Sequence, residues 1–96
     1  MTYTITMLKL RDYAEWKSGF DAEEGAALRK DAGMKSYRIL KTERDPNQIM
    51  LMCEWDSLDT ARTHIRSEGL RQIHEQLGLS ETPETHYLEE VEKGTV

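Results

Sequence analysis

The segment that most limits what this chain can fold into is Ile49-Met50-Leu51-Met52-Cys53, an apolar run set between Asp45-Pro46-Asn47 and Glu54-Trp55-Asp56. Its shortness and its turn-forming boundary make it a strand, and successive strand residues point to opposite faces. A strand that is apolar at every position is covered on both sides, whereas a sheet with one wet face would alternate. One layer of helices can cover only one side. The other side requires a second sheet.

The flanking sequence supplies the rest of such a layer. Tyr3 to Leu10 alternates, with Tyr3, Ile5 and Met7 on one face and Thr4, Thr6 and Leu8 on the other, which predicts a first strand. Asp12-Tyr13-Ala14-Glu15 has the form of a capping box. Tyr13, Trp16, Phe20 and Ala27 follow at helical spacing, predicting one helix to about Ala32 that Gly33 closes in the left-handed conformation. Gly25 in its interior costs about 1 kcal/mol relative to Ala. Met34 to Thr42 reads as a second strand, Asp45-Pro46-Asn47 as a turn and Ile49 to Trp55 as the third strand. Asp56 or Ser57 caps a second helical region, Leu58 to Leu77, with Gly69 as a break and Gly78 as terminator. Leu79 to Pro83 is a connector, Glu84 to Val91 a fourth strand, and residues 92–96 a frayed tail.

The order β-α-β-β-α-β is that of an α+β, ferredoxin-like fold: a four-stranded antiparallel sheet with two helices on one face and strand order 4-1-3-2. Ninety-six residues supply one hydrophobic core, so residues 1–96 form a single domain. Half of the Ile49 to Cys53 run would be wet in a monomer, and a homodimer packed sheet to sheet is expected.

Composition removes several function classes. Thirteen Lys and Arg against eighteen Asp and Glu give a net charge of −5, and the basic residues are scattered, so a nucleic-acid partner is not expected. The chain has no apolar run long enough to span a membrane and no signal-peptide pattern at Met1-Thr2-Tyr3-Thr4, so a cytoplasmic location is expected. The lone Cys53 excludes an intrachain disulfide and a Cys-rich zinc site. His64, His74 and His86 lack two-ligands-per-turn spacing, so no metal is expected, and no phosphate loop, nucleophile elbow or nucleotide fingerprint occurs. No cofactor is expected.

Four motifs, in this order and spacing, carry a family resemblance. They are Asp12-Tyr13-x-x-Trp16-x-x-x-Phe20, Glu54-Trp55-Asp56-Ser57-Leu58, His64-x-x-Ser67-x-x-Leu70 and Tyr87-Leu88-Glu89-Glu90-Val91. With them nearly the whole chain resembles the dimeric α/β-barrel proteins of the antibiotic-biosynthesis-monooxygenase type. That resemblance implies two ferredoxin-like protomers packed sheet to sheet and a small apolar or aromatic ligand. Its members include cofactor-independent oxygenases, cyclases, isomerases and haem-degrading oxygenases, so it implies architecture more closely than chemistry.

Histidine is the side chain that titrates nearest neutrality, which makes His64, His74 and His86 the first acid or base candidates. The resemblance implies a functional place for His64. Ser67-x-x-Leu70-x-x-x-His74 is also similar to the segment that carries the haem-ligating histidine of haem-degrading members, although those pair it with an Asn on the first strand and a Trp in the second helix, where this chain has Thr or apolar residues and His64. Tyr37 and Tyr87 are candidates to orient a carbonyl or phenol, Arg38 to hold a carboxylate, Glu54 to carry a raised pKa on an otherwise apolar strand, and Trp55 to line a pocket. Cys53 reads as a small core residue. The expectation is a cofactor-independent monooxygenase or cyclase acting on an aromatic or polyketide-like substrate, with His64 or His74 as base. A non-catalytic dimeric binding or assembly module is the alternative, and haem binding is a third.

Overall fold

A computed structural model describes residues 1–76, 79 and 83–96. Its elements run β1 (Thr2–Lys9), α1 (Tyr13–Asp21), α2 (Glu23–Asp31), β2 (Met34–Lys41), β3 (Gln48–Trp55), α3 (Leu58–Ile65), α4 (Glu68–Gln76) and β4 (Glu84–Glu89). The four strands form one antiparallel sheet in the order β2-β3-β1-β4, so the two most apolar strands are central, as the sequence predicts. No helix among the described residues is long and apolar enough to cross a membrane.

Both predicted helices are split in two, and neither breaks at its glycine. The first is interrupted at Ala22, which is extended (φ −60°, ψ 148°) and donates its N–H to the Gly19 carbonyl 3.3 Å away. Gly25 lies buried within α2 instead. The second breaks at Arg66 and Ser67, where the Ser67 hydroxyl accepts the Leu70 N–H at 3.2 Å and so caps α4; Gly69 is inside that helix. An N-cap serine satisfies a free amide at the start of a helix, and so it decides the break where glycine only tolerates one. Gly78, the expected terminator, lies outside the described residues, as does most of the Leu79 to Pro83 connector.

The remaining boundaries follow local chemistry. Asp12 accepts the Glu15 N–H at 3.2 Å, while the Glu15 carboxylate pairs with Arg11, so only half of the expected capping box forms. Ser57 and Thr60 make the reciprocal box at the start of α3. Gly33 has φ 88°, the left-handed conformation that closes α2. In the β2-β3 turn the Asp45 carboxylate accepts the Asn47 N–H at 2.9 Å. Residues 90–96 carry no regular element.

Register assigns every strand residue a face. Burial along β1 alternates, with Thr2, Thr4, Thr6 and Leu8 buried under the helices and Tyr3, Ile5 and Met7 half-buried on the far side. On β3 the helix-facing set is Ile49, Leu51, Cys53 and Trp55. The far face therefore carries Tyr3, Ile5, Met7, Met50, Met52, Leu40 and Leu88, with Leu40 and Leu88 more than two-fifths exposed. The core splits into a cluster of Leu8, Leu10, Trp16, Phe20 and Ile49 and another of Cys53, Trp55 and Ala61.

Candidate functional site

Between the helix-facing side of the sheet and the four helices lies a cleft of about 770 Å³. That volume is within the roughly 300–1,000 Å³ of small-molecule sites. Its floor is Thr6, Leu8, Leu51, Cys53, Trp55 and Thr85; α1 and α2 contribute Trp16, Phe20, Leu28 and Arg29; α3 and α4 contribute His64, Ile65, Leu70, Ile73 and His74. The lining is mainly apolar, with a few polar groups pointing inward.

Those polar groups are held by the sheet. Trp55 is fully buried, and its indole Nε1–H donates to Thr4 Oγ1 at 2.9 Å, which fixes the ring plane along the cleft floor. The His64 ring lies against it, centroids 5.3 Å apart. Thr6 and Thr85 share a hydroxyl hydrogen bond of 2.8 Å across β1 and β4. Cys53 is buried beside the Thr4 hydroxyl, and burial pushes its thiol up to about 11, so it is an inert wall residue rather than a nucleophile.

His64, on α3, is 5% exposed. Burial, the Arg29 cation and His74 all hold its pKa below the usual histidine value. His74, on α4, is also held low by burial. Both shifts favour the neutral imidazole. Among the described residues nothing hydrogen-bonds the His64 ring, and His64 lines the cleft.

The sheet separates the remaining candidates. Arg38 pairs in register with Met52, His86 with Ile5, and Glu54 with Tyr3, so all three lie on the far face. They do not reach the cleft, because strand alternation puts them a sheet thickness away. Glu54 is held there by the Ser36 hydroxyl at 3.1 Å and His86 sits 3.6 Å from Glu84. Tyr37 does face the helices, but it is 44% exposed, packs edge-on to Phe20 with centroids 5.0 Å apart, and borders a shallow depression beside the cleft. Tyr87 packs against the Trp55 cluster with Arg62 over its ring. Arg29, Arg66 and Arg71 also line the cleft; Arg29 is half-buried where the other two are exposed, and the sequence pattern did not single it out. Its signal was present in the chain only as an arginine one turn beyond Gly25, and it becomes visible once the helix break at Ala22 is known.

The model of the antibiotic biosynthesis monooxygenase family matches residues 13–76, from the start of α1 to the end of α4. The chain belongs to that family. Its members' fold typically dimerises. By sequence, no curated protein matches the chain. Solved structures with the same fold include SnoaB, a cofactor-independent oxygenase from Streptomyces nogalater, with TM-score 0.75, 18% identity, and coverage of 96% of this chain and 94% of that one. A protein from Deinococcus radiodurans grouped with the antibiotic biosynthesis monooxygenases gives TM-score 0.72 at 17% identity over 100% and 98% of the two chains. A counterpart from Caulobacter crescentus gives 0.71 at 20% identity over 95% and 90%. At these identities the likeness concerns the fold, and chemistry has to be argued from the cleft.

Of the haem-site pattern, His74 lines the cleft, but the strand facing it presents Thr4 and Thr6, and α3 presents His64 where the resemblance would require Trp. The donor set does not fit haem.

Proposed function

We propose that this protein is a small-molecule enzyme of the cofactor-independent oxygenase or cyclase kind, acting in the cytoplasm on an aromatic or polyketide-like substrate. Residues 1–96 act as one domain, and the apolar far face of the sheet packs against a second copy. The observation that carries the reading is His64, a buried neutral imidazole opening onto an apolar cleft of substrate size, with His74 on the same lining.

A neutral imidazole with no hydrogen-bond partner among the described residues is a base awaiting a proton. In this reading a His64 ring nitrogen takes the proton of an acidic phenol or of a carbon flanked by conjugated carbonyls. A cyclase uses the resulting carbanion on a carbonyl of the same molecule. In an oxygenase, dioxygen is the co-substrate: the carbanion carbon bonds one oxygen atom, the peroxide takes up the proton, and loss of water leaves a carbonyl. Each methylene then becomes a carbonyl, one dioxygen is consumed and one water is released. The apolar lining supports this by keeping bulk water from the carbanion.

Oxygen uptake with a panel of acidic hydroxyaromatics and anthrones tests it. Wild type should exceed the spontaneous rate, and His64→Ala should lose about 100-fold or more of that excess. If no member of the panel turns over, aerobically by oxidation or anaerobically by cyclisation, and His64→Ala binds the same compounds as tightly as wild type, the catalytic reading is lost and a dimeric binding module stands in its place.

A further inference from the structure

Arg29 is placed with more care than a surface cation needs. Its Nη2 donates to the Phe20 carbonyl at 2.8 Å, and its guanidinium carbon lies 3.7 Å from the Phe20 ring centroid and 5.8 Å from that of Tyr37. The Phe20 carbonyl is free to accept because the helix is interrupted at Ala22, which takes away the amide that would otherwise bond it. Beneath lies buried Gly25, where a Cβ would sit 3.4 Å from Arg29 Nη1 and from the Gly19 and Phe20 carbonyl oxygens. The helix break, the ring and the missing side chain together fix a half-buried guanidinium on the cleft wall.

Among the described residues no carboxylate forms an ion pair with Arg29, and nearby Asp21 is taken by Lys17. Arg71, which also lines the cleft, is by contrast held by Glu68 and Glu75. Burial pulls the Arg29 pKa down, the direction expected of a cation whose lost hydration is not replaced by an anion. A guanidinium carries five N–H donors in a planar fork, and the Phe20 carbonyl uses one of them.

We propose that Arg29 is the anion-binding residue of the cleft, and that the molecule bound there carries an anionic oxygen, a carboxylate or an ionised enol or phenol, attached to its apolar ring system. Four N–H donors remain for that oxygen on Nε, Nη1 and Nη2, while the rings lie along Phe20, Leu28 and Trp55. The proposal rests on the cleft being the substrate site, as argued above, and it narrows the substrate class to acidic aromatics. Arg29 then selects and orients the substrate, with no part in moving the proton.

Calorimetric titration of the whole chain with 2-naphthoate and its neutral isostere 2-naphthamide tests it. Wild type should bind the acid about tenfold more tightly than the amide, the size of one charged hydrogen-bonded pair. Arg29→Met should lose that tenfold for the acid and keep its amide affinity, and Arg66→Met, at an exposed arginine on the cleft margin, should behave as wild type. Should Arg29→Met not fold by circular dichroism, Arg29→Lys replaces it, with a smaller loss confined to the acid because a point charge cannot match the fork. Equal wild-type affinities, a loss shared by both ligands, transfer of the effect to Arg66, or no binding of either compound would each overturn the proposal. Acid selectivity without turnover sinks the catalytic reading alone, and turnover without acid selectivity sinks this one alone.

Discussion

Thr4→Val isolates the hydrogen bond on which the cleft floor depends. Valine has nearly the shape of threonine, so the substitution opens no cavity; what it removes is the oxygen that accepts the Trp55 indole N–H at 2.9 Å. Both residues are 0% exposed, so water cannot replace the acceptor. A buried donor left without a partner costs about 1–3 kcal/mol. Taking about 2 kcal/mol and roughly 4–8 °C per kcal/mol for a chain of this size, the melting temperature should fall by roughly 8–16 °C. Thermal and urea unfolding followed by circular dichroism at one fixed protomer concentration measure it, since any self-association makes the midpoint depend on concentration. The same substitution in a Trp55→Phe background should be nearly neutral, because the donor is already gone, and the cycle then reports the bond itself. A Thr4→Val cost below about 0.5 kcal/mol, or an equal cost in both backgrounds, refutes the reasoning. Because the indole lies against His64, the variant should also loosen the site, seen as a His64 imidazole that titrates closer to 6.5.

Two further outcomes follow from the structure. Burial holds His64 and His74 below the ordinary histidine value of about 6.5 in the folded chain, so between the folded and unfolded values the unfolded chain binds more protons. Stability should be full above pH 6.5 and fall as the pH drops below it, by at most about 1.4 kcal/mol per unit for each histidine; a His64→Gln, His74→Gln double variant that keeps the same slope in a pH series of melts would show that other groups cause it. On the far face of the sheet, Met52→Lys puts a charge at the centre of the Ile5, Met50 and Arg38 neighbourhood and should yield a folded monomer in sedimentation velocity, whereas wild type should sediment as a dimer. A wild-type monomer at micromolar concentration contradicts the packing proposed for that face.

Most of the fold is legible in the chain because sheets repeat with period two and the pattern here is long. The alternation of Tyr3, Ile5 and Met7 against Thr4, Thr6 and Leu8 gives the two faces of β1, and the run from Ile49 to Cys53 gives a central strand covered by the helices on one side. The helix breaks are not legible. Alanine is the strongest helix former, so nothing in the identity of Ala22 announces an extended residue, and the long-range bond from Arg29 to Phe20 that accompanies the break joins residues nine apart. The site was half legible. Residue type singles out His64 and His74, but which candidates share a cleft depends on strand parity, and Arg38, Glu54 and His86 carry plausible chemistry on the wrong parity. Arg29 was hidden because its place is set by the break.

The threonine row on β1 bears on how this sheet finds its alignment during folding. A slip of β1 by one residue would turn Tyr3, Ile5 and Met7 toward the helices, and that set is at least as oily as the one it replaces, so the usual penalty for a misaligned strand is weak here. What such a slip would forfeit is three hydroxyl matches, Thr2 with Glu89, Thr4 with Trp55 and Thr6 with Thr85. The strand is keyed like a lock by oxygen atoms, and a chain with valine at all three positions would keep its grease and lose its sense of place.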